Sequence, residues 1–361
     1  RRSCLLLKGR LKVNKKCSMQ ETPWEISAKE LAQLINVSPA TVSMVFNNKP
    51  GISEATRDLV LTPAAKYGYT PKSAPPASAS SRVIQLINYK KHGKIAADTP
   101  FFSQLTEGIT QECRRQNCVL HISYFYENMD ISAQLTSLKE VDCIGILLLA
   151  TEMQREDFKK FRDFPVPIVV LDCYYDELKY DCVLINNIQG AFNATSHLIK
   201  CGHKKIGYLR SNLEISNFAE RADGYYKALR TNGISTSHPY VHAISPTAEE
   251  GYQDMLTVLD ADPELADAYF ADNDIIAAAA MKAFRERGFR LPEDISIIGF
   301  DDMPLCDMMV PSLSTMRVRK QELGAAAIAR LMDRIADNKK EYLILPMSTQ
   351  LIKRENVPVL K

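Results

Sequence analysis

The chain contains 361 residues, of which 46% are hydrophobic and 24% charged, and its formal net charge is +2 at pH 7. The length predicts two or three domains with sizeable cores, and the composition is that of an ordinary globular protein. No apolar run approaches the ~18 residues of a membrane span, so a membrane protein of the helical class is excluded. The nine cysteines form no CxxC pair and no Cys/His cluster, so we expect reduced thiols, no bound metal and a cytoplasmic location.

The first 18 residues are strongly basic, with seven Lys or Arg and no acidic residue. A secretory signal needs an uninterrupted apolar region, and Lys8, Arg10 and Lys12 prevent one from forming. We therefore predict a disordered basic leader over residues 1–18. Met19 is a reasonable start of the native chain.

Two short helices joined by a tight turn are predicted after this leader. Ser27 and Glu30 have the spacing of a capping box, which begins the first helix. Asn36 falls where the turn needs a left-handed backbone, which Asn tolerates. Ser38 is then an N-cap, and Pro39 occupies the first position of the second helix, where its missing N–H costs nothing. This arrangement is a helix-turn-helix.

The apolar residues of the same segment predict how these helices pack. Leu31 and Leu34 are expected on one face of the first helix, and Val42 and Val45 on the facing side of the second. Ser53 is expected to cap a third helix. The three helices would then form a small all-α domain.

The opposite face of the second helix is the candidate surface for DNA. A recognition helix presents such a face to base edges in the major groove, and capped helix ends and hydroxyl groups suit phosphate contacts. A protein-binding helix pair is the alternative at this point. The candidate DNA-binding residues are Ser27, Ser38, Pro39, Ala40, Thr41, Ser43, Met44, Asn47 and Lys49.

The charge of this predicted domain, residues 19–72, is balanced: it holds five basic and five acidic side chains. Counterion release would therefore contribute less than usual to DNA affinity. Binding would depend on dimerisation and on the basic leader.

A strand–helix alternation fills most of the remaining chain, after a Pro-containing linker of small residues at 73–81. Strands are expected at residues 83–88, 119–124, 143–149, 168–172, 182–185, 205–209, 240–244, 268–270 and 295–299. Helices are expected at residues 101–117, 188–201, 217–232, 247–260, 274–288 and 319–337.

Alternation of this kind predicts parallel sheets that are covered on both faces. About ten strands in one open sheet would be unusual, so two sheets in two lobes are expected. Ligands bind outside the carboxyl ends of parallel strands, which would face each other across a cleft. The predicted fold class is therefore α/β: an N-terminal all-α helix-turn-helix domain followed by a two-lobed core.

Several ordered motifs resemble those of the LacI/GalR family of transcription regulators, and together they span about 330 residues. The helix-turn-helix segment, residues 31–47, is similar to the family's "VAxxAGVSxxTVSRVLN". Further matching segments are 53–57 (SEATR), 67–71 (YGYTP), 99–102 (TPFF) with 108–109 (GI), 197–207 (HLIKCGHKKIG), 221–225 (RADGY), 270–274 (FADND) and 291–302 (LPEDISIIGFDD).

This resemblance implies a homodimer that binds a pseudo-palindromic DNA operator, most often as a repressor. It also implies a periplasmic-binding-protein-like core, residues 82–361, that closes on a small effector, which we expect to be a sugar or sugar derivative. One lobe would comprise residues 82–185 and 318–340, and the other residues 186–317 and 341–361.

The sequence departs from the family pattern at its DNA-binding end. Met44 stands where the family usually has Arg, which leaves an apolar contact instead of a charged one. Pro39 and Ala40 offer only apolar contacts, such as with a thymine methyl, so the operator should differ from the usual ones. Pro75 and Pro76 argue against a hinge helix in the linker.

The effector candidates follow from the matched motifs and from their chemistry. Arg221 can donate two hydrogen bonds to a hydroxyl pair or a carboxylate. Acidic and amide side chains just past strand ends could hold ligand hydroxyls, and aromatic faces could contact a sugar ring or a base, although these aromatics could equally be core residues. The candidates are Phe101, Phe102, Asp172, Arg221, Asn273 and Asp301.

Structural roles, and not ligand contacts, are expected for two neighbouring carboxylates. Asp274 is expected to interact with the dipole at a helix N-terminus, and Asp302 to be a turn residue.

The chain has no nucleophile elbow, no metal triad and no glycine-rich phosphate loop, so neither an enzyme nor a cofactor is expected. The alternative is a solute-binding sensor of periplasmic-binding-protein type whose DNA-binding domain has degenerated.

Overall fold

The computed structural model divides into two compact units between Ser80 and Ser81. It describes residues 28–46, 52–66, 82–95, 99–237 and 240–360. Some predictions fall outside the described residues: the basic leader, the linker, and the roles of Ser27, Asn47 and Lys49.

The N-terminal unit consists of three helices, α1 (Ala28–Leu34), α2 (Pro39–Phe46) and α3 (Glu54–Lys66). The turn between α1 and α2 contains Asn36 with φ of 55°, which confirms the predicted left-handed residue. Ser38 Oγ accepts a hydrogen bond from the N–H of Thr41 at 3.0 Å, so the predicted N-cap is also confirmed. Ser53 caps α3 in the same way, through the N–H of Thr56 at 3.2 Å.

A small apolar core joins these three helices, and it corrects one prediction. Leu34 is 56% exposed, so its expected packing is wrong. The helical period of 3.6 residues instead directs the adjacent positions 31 and 32, together with 35, towards α2 and α3. The buried members of this core are Leu31, Ala32, Val42, Val45, Val60 and Ala64.

The second unit contains two six-stranded sheets, one in each lobe. The first has the strand order β11-β5-β4-β3-β1-β2 and is parallel throughout. Its strands are β1 (Arg82–Lys90), β2 (Cys118–Tyr126), β3 (Gly145–Leu149), β4 (Ile168–Leu171), β5 (Asp181–Ile185) and β11 (Ile344–Met347).

The second sheet has the strand order β12-β10-β9-β8-β6-β7 and is parallel except at its β12 edge. Its strands are β6 (Ile206–Ser211), β7 (Val241–Ile244), β8 (Ala268–Ala271), β9 (Ser296–Asp301), β10 (Ser314–Arg317) and β12 (Gln350–Ile352).

Helices lie between most of these strands, and the predicted α/β fold class is confirmed. A 3₁₀ helix spans Arg155–Phe161. The α-helices of this unit are α4 (Pro100–Arg115), α5 (Ile131–Lys139), α6 (Asn187–Lys200), α7 (Ser216–Thr231), α8 (Ala248–Asp260), α9 (Asp274–Glu286), α10 (Leu305–Met308) and α11 (Lys320–Ala336).

The chain after α11 does not return at once to the second lobe, as residues 341–361 were expected to do. Ile344 pairs with Cys182, so β11 belongs to the sheet of the first lobe, and only β12 joins the second. A buried carboxylate explains this path. Asp181, at the start of β5, accepts hydrogen bonds from Arg330 Nε at 2.7 Å, Arg334 Nε at 2.6 Å and the N–H of Leu343 at 2.9 Å.

The contact between α4 and α11 depends on the absence of a side chain at Gly108. A Cβ there would lie 2.1 Å from the carbonyl oxygen of Gln321, so Gly108→Ala must force the two helices apart. We expect a loss of about 1–3 kcal/mol of unfolding free energy, measured by urea denaturation of the full chain. Ser103→Ala, at an exposed position of α4, is the control and should change little. Equal stability of the two variants would contradict this helix packing.

The described residues hold no helix long and apolar enough to cross a membrane. Within the same part of the chain, no group of three or more His, Cys, Asp or Glu side chains could hold a metal ion. The seven described cysteines are all free thiols, and six of them are buried.

Candidate functional site

The carboxyl ends of strands from both sheets and the first turns of α4, α7 and α9 surround one cavity between the lobes. Its empty space is about 590 Å³, part of which is open to solvent. All the effector candidates predicted from the sequence line this cavity: Phe101, Phe102, Asp172, Arg221, Asn273 and Asp301.

Asp172 follows β4 in the first lobe and faces the second lobe. It is 1% exposed and has φ of 67°, a backbone conformation that is uncommon outside glycine. Its carboxylate accepts hydrogen bonds from Thr151 Oγ1 at 2.6 Å and from Nδ2 of Asn217, across the cleft, at 3.0 Å. Burial raises the pKa of Asp172 to about 6, against the lowering effect of these two bonds and of the Arg221 charge.

Asp301 ends β9 in the second lobe and also has a positive φ, of 108°. Its carboxylate lies 3.4 Å from Arg221 Nη2. Burial raises the pKa of Asp301, whereas the charges of Arg221 and Lys320 lower it. The ammonium of Lys320 donates to the backbone carbonyl of Asp301 at 2.5 Å, which fixes the end of the strand.

Arg221 lies on α7 and is only 3% exposed. Its Nε donates to Asn187 Oδ1 at 2.9 Å, and Nη1 donates to the backbone carbonyl of Asp272. The guanidinium carbon lies 3.8 Å from the centre of the Phe300 ring, within cation–π range. These contacts hold the guanidinium in a fixed orientation, so little side-chain entropy remains to be lost when a ligand binds.

The remaining candidates are uncharged residues that determine the shape of the cavity. Asn273 caps α9 by accepting from the N–H of Ile276 at 2.9 Å. Phe101 and Phe102 are 7% and 9% exposed, and their ring centres lie 5.0 Å apart in an edge-to-face contact. These two aromatics are therefore core residues that also line the cavity, and their contact with a ligand stays a prediction.

The two neighbouring carboxylates have structural contacts instead. Asp274 is buried in the first turn of α9 and accepts from Thr315 Oγ1 at 2.6 Å. Burial raises the pKa of Asp302, but its ion pairs with Arg317 and Arg354 outweigh this effect and lower the pKa below its ordinary value. Neither residue lines the cavity.

Sequence reasoning missed two cavity residues that bind the Asp172 carboxylate. Asn217 precedes Arg221 by four positions and so lies on the same face of α7. Thr151 follows β3. Ligands bind outside the carboxyl ends of parallel strands, and this rule, which selected Asp172, would also have selected Thr151. Both could have been found from spacing alone.

The candidate DNA-binding surface is partly described. Pro39 is exposed, and Met44 is 37% exposed. The hydroxyls of Ser38 and Thr41 lie 2.9 Å apart and bond to each other, and Ser38 is the exposed member of the pair. The side chains of Ala40 and Ser43 are not among those the structure describes.

A helix-turn-helix unit followed by a two-lobed core with an interlobe cavity defines a DNA-binding transcription regulator. Residues 27–72 match the family model of bacterial regulatory proteins of the lacI family. Residues 195–357 match the model of the periplasmic binding protein-like domain. The chain belongs to the lacI family.

Similar proteins cover nearly the whole chain. An HTH-type transcriptional repressor PurR of Pasteurella multocida is 30% identical over 333 residues, which cover 91% of this chain and 98% of that protein. A ribose operon repressor of Haemophilus influenzae is 31% identical over 341 residues, covering 92% and 99%. The solved structure of a transcriptional regulator CelR-cellobiose complex aligns with a TM-score of 0.69 at 25% identity, covering 92% of this chain and 100% of that one.

Proposed function

We propose that this regulator is a repressor whose operator binding is changed by a sugar or sugar derivative held between the lobes. The observation that carries the proposal is the convergence of Arg221, Asp172 and Asp301 on one cavity from opposite lobes. Carboxylates accept hydrogen bonds from paired hydroxyls, and a guanidinium donates to ring or hydroxyl oxygens. The relatives named for ribose and cellobiose support a ligand of this class.

Coupling between this cavity and DNA follows from the direct bond between the lobes. Asn217 of the second lobe donates to Asp172 of the first, so the position of these two groups relative to a bound ligand depends on the lobe arrangement. A ligand shifts such an equilibrium only by its difference in affinity for the two arrangements. The effector would therefore change the spacing of two DNA-binding units in a dimer.

We infer a homodimer from the exposed edge of the first sheet. The edge strand β2 exposes Val119 by 55%, Ile122 by 42% and Tyr124 by 43%. An uncovered apolar edge strand favours association, and a second copy of the chain would cover it symmetrically. Two-fold symmetry of the protein matches a pseudo-palindromic operator.

The protein would act in the cytoplasm, with DNA as its target, and not as an enzyme.

A thermal-shift screen of pentoses, hexoses, disaccharides and nucleobases on the full chain tests the ligand class. We expect one sugar family to raise the Tm and to change operator affinity measured by fluorescence anisotropy. A rise with nucleobases alone, or no rise with any compound, would contradict the proposed ligand.

Effector affinity is expected to fall as the pH drops below about 6. The pKa of Asp172 is raised to about 6, and only its ionised form accepts ligand hydroxyls at both oxygens. If binding requires that form, the Kd should rise about tenfold between pH 7 and pH 5. Calorimetric titration at the two pH values measures this change, and Asp172→Asn should remove the pH dependence. A wild-type Kd that does not change would contradict an ionised Asp172 in the complex.

The pH dependence of folding has the opposite sign for this group. The pKa of Asp172 is higher in the folded protein than the ordinary value of 3.8. Its contribution to stability is therefore complete below pH 3.8 and is lost as the pH rises through about 6.

A further inference from the structure

A buried carboxylate organises the segment that leaves β1. Glu152, just after β3, is buried, and its side chain is 0% exposed. The segment it holds, residues 91–95, is called the strap here. The two carboxylate oxygens of Glu152 accept hydrogen bonds from the main-chain N–H groups of Lys91 at 2.8 Å, His92 at 3.0 Å, Gly93 at 2.9 Å and Ile95 at 2.9 Å.

Four main-chain donors on one carboxylate specify the conformation of the strap. The converging N–H groups form an anion-binding nest, and Gly93 has the positive φ, of 70°, that such a turn needs. Lys91 anchors the start of the strap through an ion pair of 3.0 Å with Asp157 on the 3₁₀ helix. The strap is therefore held by side chains of the first lobe, independently of the second.

The strap also reaches the second lobe at the edge of the cavity. Lys94 Nζ lies 2.7 Å and 2.9 Å from the two carboxylate oxygens of Glu250 on α8. Glu250 in turn accepts from Ser245 Oγ at 2.8 Å, just before α8. Lys94 and Ile95 line the cavity on one side, and Pro246 lines it on the other.

We propose that Glu152 is the positioning residue of a strap that closes the mouth of the effector cavity, with the Lys94–Glu250 ion pair as its latch. Closing the lobes forms this pair and opening them breaks it, so the latch favours the arrangement that retains a ligand. The inference rests on the proposed function, because it assigns the strap to the same cavity. Glu152 acts through the strap and does not itself line the cavity.

The latch is suited to tuning closure rather than to locking it. Its side chains are 42% and 52% exposed, so salt screens their attraction. The contacts of Glu152 are buried and should not respond to salt in this way. High salt should therefore weaken the Lys94–Glu250 ion pair and leave the contacts between Glu152 and the strap unchanged.

The positioning role is tested without any ligand, by hydrogen–deuterium exchange of the full chain. Glu152→Gln should raise the exchange rate of the amides of residues 91, 92, 93 and 95 by about tenfold or more, because a neutral amide presents an NH₂ group to donors that need an acceptor. Glu156→Gln, an exposed neighbour, is the matched control and should leave the strap protected. If Glu152→Gln unfolds the chain, Gly93→Ala replaces it, since no atom lies within 4 Å of the added Cβ and only the backbone is strained. An unchanged exchange rate in folded Glu152→Gln would overturn the role of Glu152, and an unchanged rate in Gly93→Ala would overturn the strap conformation on which that role rests.

The latch is tested with the best sugar from the thermal-shift screen. Lys94→Gln and Glu250→Gln should each raise the Kd two- to fivefold in 50 mM NaCl, with no further loss when combined, and the effect should vanish in 1 M NaCl. Lys205→Gln, which breaks an exposed ion pair with Glu264 within the second lobe, is the control. Additive or salt-independent effects would overturn the latch. If no sugar binds, the proposed function fails, while the exchange experiment still decides whether Glu152 holds the strap.

Discussion

Asp301→Asn is expected to weaken effector binding by about 10- to 150-fold, since a hydrogen bond to a charged group contributes about 1.5–3 kcal/mol. The carboxylate lies at the end of β9, lines the cavity and is 3.4 Å from the Arg221 guanidinium. Asparagine has almost the same shape, but one of its terminal atoms donates instead of accepting. The measurement is calorimetric titration together with the ligand-induced rise in Tm.

Asp302→Asn is the matched control for this variant. Asp302 is the next residue along the chain, yet its carboxylate turns to Arg317 and Arg354 and does not line the cavity. Its loss should lower the Tm of the free protein and leave the ligand-induced rise intact. Equal binding by the two variants would contradict the assignment of Asp301 to the effector.

Arg221→Ala is expected to abolish the effector response and also to destabilise the free protein by about 3–5 kcal/mol, the usual cost of removing one partner from a buried charge pair. The sequence alone predicts only a ligand contact for Arg221. The structure gives Arg221 a second role, because its guanidinium also bonds Asn187 and the backbone of Asp272. Its loss leaves the largely buried Asp301 carboxylate, whose side chain is 15% exposed, without this cation.

Urea unfolding of Arg221→Ala measures the change in stability, and Arg221→Lys separates charge from shape. Lysine keeps the positive charge but lacks the planar fork, so we expect it to recover part of the stability and little of the binding. A stable Arg221→Ala variant with wild-type affinity would contradict both roles.

Much of the fold could be predicted because its signals are local. All nine predicted strands and all six predicted core helices occur within the described residues, with ends within two positions of those expected. Buried parallel strands are continuous apolar runs, and the helices between them carry a clear period. The strand-end rule then brought Asp172 and Asp301 to the same cavity, because parallel strands in both lobes end at the cleft.

The parts that sequence reasoning missed depend on contacts between distant residues. β10 (STMR) is not a continuous apolar run and β12 has only three residues, so neither carries the signal that marks the other strands. The placement of β11 is set by buried Asp181, which binds side chains from α11 about 150 positions away. Glu152 likewise organises a strap about 60 positions earlier in the chain. No local pattern marks a carboxylate whose donors are main-chain N–H groups.

The central claim is that this chain recognises a specific DNA site, and in-vitro selection of random duplexes by the full-length protein tests it most directly. A variant with Val45→Asp, which disrupts the core of the N-terminal unit, is the control and should enrich no sequence. For the wild-type protein at moderate salt we predict enrichment of a two-fold symmetric site, whose affinity changes when the effector is added. Failure to enrich any symmetric site would contradict the account.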